Sequence, residues 1–209
     1  MTTTTLTKSA GIALLPHTQC ATATVTIGSP VDVSTKLGPA TAFIKMGRTI
    51  ATALTNQVRF RIEGSPKTSG NDEWVPIYEW QSLNGTTAAS KTTLNDAACD
   101  AGDTSFTLTS GTGFTAGDVI YLRETGTPAN SEWCRGKSTS TNTVTIEEAL
   151  TRGHTNGIDV TDLAEIFSIP IDLSGQVRVR LVVDTASAAS GQTVDCIAWM
   201  VTADSASTA

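Results

Sequence analysis

Residues 43–80 have the sequence FIKMGRTIATALTNQVRFRIEGSPKTSGNDEWVPIYEW, and this stretch decides the fold. Within it Val58, Phe60 and Ile62 alternate with three charged residues, a period of two that is typical of a strand with one buried and one solvated face. After a turn rich in Gly and Ser, apolar side chains occupy both faces of residues 74–80, which predicts a strand between two apolar surfaces. The two strands are expected to be neighbours in one sheet.

The composition favours an all-β protein. The 209 residues are enough for one large or two small domains with a substantial core. Charged residues make up 16% of the chain while Thr, Ser, Ala and Gly are abundant, which favours short strands and polar turns over amphipathic helices. The net charge of −6 and the scattering of only 14 basic residues argue against nucleic-acid binding, because phosphate neutralisation needs clustered cations.

The sequence also argues against a membrane protein and against export. No apolar run approaches the roughly 20 residues that cross a bilayer. The N-terminal sequence MTTTTLTKSAGIALLP lacks the basic start and the long apolar centre of a secretory signal. The protein is therefore expected to stay in the cytoplasm where it is made. Four cysteines without any Cys-x-x-Cys pair indicate buried free thiols rather than a zinc site or a redox dithiol.

Composition divides the chain into three regions. Residues 1–15 are Thr-rich and then apolar, which predicts a flexible N-terminal arm. Residues 104–159 hold four short strand patterns separated by Gly-rich turns, which predicts a small barrel-like β module. Similar, longer strand patterns precede and follow that module. Residues 16–103 and 160–209 are therefore expected to form one antiparallel β-sandwich of jelly-roll type, into which the module is inserted.

Three further segments have definite expectations. Residues 81–103 are dominated by Ser, Asn, Gly, Thr and Ala, which predicts a linker or a long loop. Residues 193–202 carry apolar side chains on both faces, so this strand is expected to be central and covered on both sides. Residues 203–209 are expected to be a frayed polar tail.

No motif for catalysis or for cofactor binding occurs in the sequence. The two histidines, His17 and His154, have no neighbour at metal-ligand spacing and are expected to be solvated loop residues. The Gly-rich run at residues 111–117 lacks the Lys and the following helix of a phosphate loop, so it predicts a hairpin turn. We therefore expect no enzymatic activity, no metal and no cofactor.

Candidate contact residues fall into two groups. The first is a set of arginines on the outward faces of two strand patterns: Arg59, Arg61, Arg178 and Arg180. Two such rows on neighbouring strands would suit an acidic surface of another subunit, although a solvated sheet face is the simpler interpretation. The second group would become ordered when the arm docks on a neighbouring subunit. It consists of the apolar residues Leu6, Ile12, Leu14 and Leu15.

Several segments resemble virion proteins of tailed bacteriophages, and capsid decoration or cement proteins in particular. They are GRTIATALTNQVRFRIE at 47–63, NDEWVPI at 71–77, the GFxxGD element at 113–118, VRVRLVVD at 177–184 and VDCIAWM at 194–200. The resemblance implies a β-rich homotrimer that binds outside the icosahedral shell, where capsomers meet, and holds them against internal DNA pressure. It implies the major capsid protein as the partner and the capsid surface of the virion as the location.

Two other interpretations stay open. A tail, neck or fibre component would have the same β-sandwich pattern but would bind a tail ring or a host surface. A carbohydrate-binding sandwich would use exposed tryptophans as a stacking platform, although tryptophans within strands are more often core residues. The tryptophans in question are Trp74, Trp80, Trp133 and Trp199.

Overall fold

The computed structural model describes residues 4–53, 57–71, 73–83, 87–185 and 193–208. In these ranges the regular secondary structure is almost entirely β-strand, which confirms the predicted all-β class. The strands are β1 (Thr4–Lys8), β2 (Ile12–Cys20), β3 (Val25–Ile27), β4 (Val31–Asp32), β5 (Leu37–Arg48), β6 (Arg59–Ser65), β7 (Val75–Gln81), β8 (Lys91–Thr93), β9 (Ser105–Thr107), β10 (Val119–Arg123), β11 (Glu132–Ser140), β12 (Thr143–Ile146), β13 (Asp159–Thr161), β14 (Glu165–Asp172), β15 (Arg178–Asp184) and β16 (Val194–Thr208). A 3₁₀ turn at Pro128–Asn130 is the one helical element in the described ranges, where no helix is long and apolar enough to span a membrane.

The strands form three antiparallel sheets. Sheet A has the order β1-β16-β5-β14, with β2 also paired to β16. Sheet B has the order β3-β15-β6-β7, with β4 also paired to β15. Sheet C has the order β8-β13-β10-β11-β12-β9. Sheets A and B share one hydrophobic core, so they form the predicted antiparallel sandwich.

The core of the sandwich is the inward face of each alternating pattern. Phe60 and Ile62 of β6 are fully buried, as the period-two pattern predicts, and they share the core with Ile44 of β5 and Met200 of β16. Burying a large apolar side chain contributes about 1.5–3 kcal/mol, so a continuous layer of this kind holds the two sheets together.

Strand β7 differs from its prediction. It is paired with β6 as expected, with Trp80 opposite Phe60, but it is the edge strand of sheet B and none of its residues is buried. The prediction of a strand covered on both sides is therefore wrong. Its aromatic residues close the rim of the sandwich instead: the Trp80 ring stacks on Phe60 at 5.2 Å between centroids and meets Phe167 of β14 at 5.8 Å.

Both chain ends lie in sheet A, so the predicted flexible arm and frayed tail are wrong for the described residues. Strand β1 pairs with the end of β16, where Leu6 lies opposite Ala206, and β2 pairs with the first half of β16. Each terminal strand supplies the hydrogen-bond partners of the other. Thr has a high strand propensity, so a Thr-rich end pairs readily once a partner strand is present. Residues 1–3 of the predicted arm lie outside the described residues.

Strand β16 is central, as predicted, but its two faces are not equally covered. Cys196 and Met200 on the inner face are completely buried. On the outer face Asp195 is buried beneath sheet C, whereas Ile197 and Trp199 are only partly buried. The coverage of the outer face therefore decreases along the strand.

Sheet C begins earlier in the chain than the predicted module. Strand β8 pairs with β13, and Leu94 and Cys99 are buried in a second core whose members all lie between residues 94 and 160. The prediction of a linker over residues 81–103 is therefore wrong in its second half. The two ends of the sheet meet, because Leu94 and Leu108 form an isolated β-bridge, so the sheet curls into the expected barrel-like shape. The division into domains stays a prediction.

Gly47 of β5 lies where sheet C approaches sheet A most closely. A Cβ atom at this position would collide with the ring of Tyr121 of β10. We expect Gly47→Ala to push sheet C away from sheet A and to lower the free energy of unfolding by about 1–3 kcal/mol, measured by urea denaturation.

Gly126→Ala is the control, because a Cβ there meets no atom within 4 Å. It should leave the unfolding free energy unchanged or raise it slightly through the unfolded state. Equal stability of the two variants would show that the close approach at Gly47 does not hold the two units together.

Candidate binding surfaces

The predicted arginine rows lie side by side on the outer face of sheet B. In the pairing of β6 with β15, Arg180 is opposite Glu63, Arg61 is opposite Val182, and Arg59 is opposite Asp184. Acidic residues thus alternate with the basic ones across the two strands. The face is of mixed charge rather than a positive stripe.

Glu63 pairs with two of the four arginines. Its carboxylate is largely buried and accepts hydrogen bonds from Arg180 at 2.8 Å, with a second guanidinium nitrogen at 2.7 Å, while Arg61 approaches its other oxygen at 3.2 Å. The Arg180 guanidinium also lies 4.1 Å from the centre of the Trp74 ring. Arg180 is therefore held within the protein and is poorly placed to bind an acidic partner.

Arg178 also has a structural role, whereas Arg59 faces solvent. Arg178 donates hydrogen bonds to the carbonyl oxygens of Lys67 at 2.6 Å and Gly70 at 2.9 Å, so it fixes the loop between β6 and β7 onto β15. Arg59 is exposed. Of the four predicted contact arginines, it is the one whose side chain is most accessible to a partner.

The apolar contact residues predicted in the N-terminal region are mostly inside the protein. Leu14 and Leu15 are only 1% and 3% exposed and belong to the sandwich core, so their prediction as contact residues is wrong. Ile12 is partly buried against the same core. Leu6 lies in β1, paired through its backbone with β16.

A buried polar network joins sheet C to sheet A. The Asp195 carboxylate of β16 accepts hydrogen bonds from the Tyr121 hydroxyl at 2.8 Å and from Arg123 Nε at 2.7 Å, both on β10. His17 Nε2 of β2 lies 2.9 Å from the same hydroxyl. Burial, reinforced by the Asp195 carboxylate, raises the pKa of Tyr121, and burial lowers the pKa of His17. The phenol therefore stays protonated and donates to Asp195.

The prediction of solvated loop histidines is wrong for both residues, because His17 is a half-buried residue of β2 and His154 is buried. The contacts of His154 involve two carboxylates. Its Nε2 lies 3.2 Å from Glu132, and its Nδ1 lies 3.6 Å from Glu124. These partners are distant in the sequence, and spacing along the chain could not reveal them. Within the described ranges no group of three or more His, Cys, Asp and Glu side chains is arranged to hold a metal ion.

Two of the tryptophans converge on a cleft between sheets A and C. The cleft has a volume of about 470 Å³ and is lined by Lys45 of β5, Trp133 of β11 and Trp199 of β16, among others. The Lys45 ammonium lies 5.7 Å from the centre of the Trp133 ring and 5.8 Å from that of Trp199. The other two tryptophans lie elsewhere, at the rim of sheet B.

One side of the sandwich carries most of its exposed large apolar side chains. We define the open side as the unpaired edges of β7 and β14 together with the residues that follow β7. Of the six large apolar side chains that are exposed in the described residues, four lie there, and they are 44–79% exposed: Val75, Tyr78, Leu83 and Ile166. The Leu83 N–H donates to the Glu165 carboxylate at 2.7 Å, which joins the end of β7 to the start of β14.

Asp195 provides a test of the network between the sheets. Asp195→Ala leaves the Arg123 guanidinium and the Tyr121 hydroxyl without their acceptor, so we expect a loss of about 3–5 kcal/mol in unfolding free energy. Tyr121→Phe removes the hydrogen bonds of the hydroxyl with Asp195 and with His17 and should cost about 2 kcal/mol. Urea denaturation measures both, with exposed Glu148→Ala as the control. A loss for Asp195→Ala no larger than that of the control would contradict a role in docking.

Comparisons with known proteins do not assign the chain to a family. No protein-family model and no curated protein matches the sequence. Among solved structures, the chain is similar to the complex of the two major capsid proteins VP16 and VP17 of bacteriophage P23-77, with 10% identity over 96% of this chain and 98% of that chain and a TM-score of 0.24. It is also similar to VP17, a capsid protein of the same phage, with 12% identity over 97% and 96% of the two chains and a TM-score of 0.17. TM-scores of this size do not establish a shared fold.

Proposed function

We propose that this chain is a structural protein of a tailed-phage virion that binds the outer surface of the capsid and stabilises the shell. The proposal rests first on the sequence segments that resemble phage virion proteins. Four of those five segments contain residues of sandwich strands, among them β6, β15 and β16, whereas the GFxxGD element belongs to the core of sheet C. In this proposal the protein has no enzymatic activity and needs no metal or cofactor.

The open side is the observation that supports a contact role most directly. Single exposed apolar residues are common on protein surfaces, but a concentration of them in one region is typical of an interaction site. Tyr78 is 44% exposed and Leu83 is 79% exposed, and both lie on this side. A shell subunit with an apolar surface would cover them.

Prolines on the two edge strands determine how a partner would bind there. Pro76 lies in β7 and Pro170 lies in β14. Proline has no backbone N–H, and in edge strands it hinders the addition of a further strand. The partner in our proposal therefore packs against side chains of the open side and does not extend a sheet.

The pairing of both terminal strands in sheet A suits a protein that must resist mechanical force. Pulling either end away requires breaking the hydrogen bonds between β1, β2 and β16. On a capsid the same contact is repeated by the symmetry of the shell, so modest contacts add up through multivalency. The proposed partner is the major capsid protein, the proposed assembly is a homotrimer, and the proposed location is the virion surface after synthesis in the host cytoplasm.

A tail, neck or fibre component is the alternative, and the open side would then contact a tail ring. A DNA-binding role is disfavoured by the net charge of −6. The structure changes the mode of attachment that the sequence predicted. Residues 4–15 contain β1 and the beginning of β2, so attachment through a disordered arm is not part of the proposal.

The double variant Tyr78→Glu with Leu83→Glu tests the proposal. Burying a large apolar side chain contributes about 1.5–3 kcal/mol, so charging both residues should weaken binding to mature empty capsids at least about tenfold. Cosedimentation of the purified protein with capsids measures the bound ratio to the shell subunit. Wild-type protein should reach a fixed ratio, and DNA-filled capsids should release their DNA at a higher temperature when they are decorated than when they are not.

The matched control is Val25→Glu with Ile27→Glu. These two residues of β3 are 48% and 52% exposed, but they lie at the opposite edge of sheet B. The control should bind capsids like the wild type. Failure of the wild type to bind capsids, together with binding to purified tails, would favour the tail alternative. Equal weakening by both double variants would show that the contact is not located at the open side.

A further inference from the structure

The cleft between sheets A and C has the size and position of a ligand site. Its volume of about 470 Å³ lies within the range of about 300–1,000 Å³ that is usual for small-molecule pockets, and such pockets are frequent where two structural units meet. Sheet A contributes Lys45 and Trp199, and sheet C contributes Glu132 and Trp133. None of these residues has a role in the capsid contact proposed above.

Lys45 forms no salt bridge in the part of the chain that the structure describes, although the charge of the nearby Glu132 carboxylate favours its protonated form. Among the described residues its ammonium has no hydrogen-bond acceptor and no carboxylate within 4 Å, and its close neighbours are the rings of Trp133 and Trp199. Burial lowers the pKa of Lys45, so water does not fully replace the missing partner. A ligand with a negatively charged group in the cleft would provide the ion-pair partner that Lys45 lacks among the described residues.

The carboxylate of Glu132, which also lines the cleft, is already engaged. One of its oxygens accepts hydrogen bonds from the backbone N–H and the hydroxyl of Thr151, both at 2.9 Å. The other oxygen lies 3.2 Å from His154 Nε2. Because both oxygens have partners, Glu132 is not free to turn towards Lys45.

The rest of the lining favours a sugar over an acidic peptide. The half-buried indole of Trp199 stacks on Phe43 at 5.6 Å between ring centroids, and the part of it that lines the cleft offers an aromatic surface for the apolar face of a pyranose ring. Glu147, Glu148 and Arg152, which also line the cleft, can exchange hydrogen bonds with hydroxyl groups. Two exposed carboxylates at the rim would repel a segment with several acidic side chains. A single carboxylate on a sugar ring meets Lys45 with less repulsion.

We propose that this cleft binds an acidic saccharide, with the carboxylate of one sugar on the Lys45 ammonium and its ring against Trp199. A charge-assisted hydrogen bond of this kind is roughly twice as strong as a neutral one, so the carboxylate determines which saccharides bind. The proposal does not depend on attachment to a capsid. A protein that binds capsids but no saccharide, or the reverse, would separate the two.

Isothermal titration calorimetry of the full chain with glucuronosyl-xylotriose, a tetrasaccharide with a single carboxylate, tests the proposal. Its methyl ester is the matched ligand, since it keeps the sugar rings and masks the charge. We expect the acid to bind and the ester to bind at least about tenfold more weakly, which corresponds to about 1.4 kcal/mol. This comparison uses only wild-type protein, so it does not depend on the folding of any variant.

Lys45→Met should weaken binding of the acid by a similar factor while it keeps the apolar stem of the side chain, and Lys45→Arg should retain most of the binding. Lys137→Met, at an exposed lysine of β11, should bind like the wild type. No binding of glucuronosyl-xylotriose, or equal binding of acid and ester, would overturn the proposal. Binding of a tetraglutamate peptide in its place would overturn the assignment to a saccharide.

Discussion

The pairing of β16 is the constraint on which the rest of the structure depends. This strand is 15 residues long and pairs with β5 on one edge and with β2 and β1 on the other. Its inner face, with Cys196 and Met200, forms part of the sandwich core. Its outer face carries Asp195 and Ile197, which contact sheet C. A shift of β16 by one residue would exchange these two faces, so its register determines both the sandwich core and the contact with sheet C.

The buried Asp195 makes the docking of sheet C specific. Taking a carboxylate and a guanidinium out of water is costly, and the pair with Arg123 is favourable only because the Tyr121 hydroxyl also donates to the same oxygen. An apolar contact would tolerate several orientations of sheet C. The network accepts one orientation, in which Tyr121 lies over the bare backbone of Gly47. Hydrophobic packing around Ile197 provides attraction, and the polar network fixes the geometry.

Local sequence patterns predicted which face of a strand is buried, but they did not predict which strands and side chains lie next to each other. The alternation through Phe60 and Ile62 identified the buried side of β6, because a period of two depends on the strand alone. The same pattern around Trp80 did not distinguish an edge strand from a central one, since apolar side chains on both faces also serve to seal a rim. Pairing of the two chain ends depends on residues about two hundred positions apart, which no local window contains. The partners of His154 were missed for the same reason.

The candidate contact residues show the same limit. Alternation correctly placed Arg61 and Arg180 on one outer face, but only the pairing of β6 with β15 shows that Glu63 lies between them. Whether an outward arginine is free for a partner depends on its cross-strand neighbours, and the sequence does not specify which strands are adjacent. The open side was not predicted at all, because exposure of Tyr78 and Leu83 follows from the position of β7 at a sheet edge.

The cleft lies where the outer face of sheet A meets sheet C. Sheet C packs over the outer face of sheet A at Asp195 and Ile197, and Lys45 lies directly opposite Ile197 on β5. Beyond that point the outer face of sheet A continues to Trp199 without sheet C above it, so the border between covered and uncovered surface runs past Lys45. A lysine at such a border keeps its charge near water but loses part of its hydration. The rings of Trp133 and Trp199 lie 5.7 Å and 5.8 Å from the ammonium, within the range of cation–π attraction, and favour its position at the cleft.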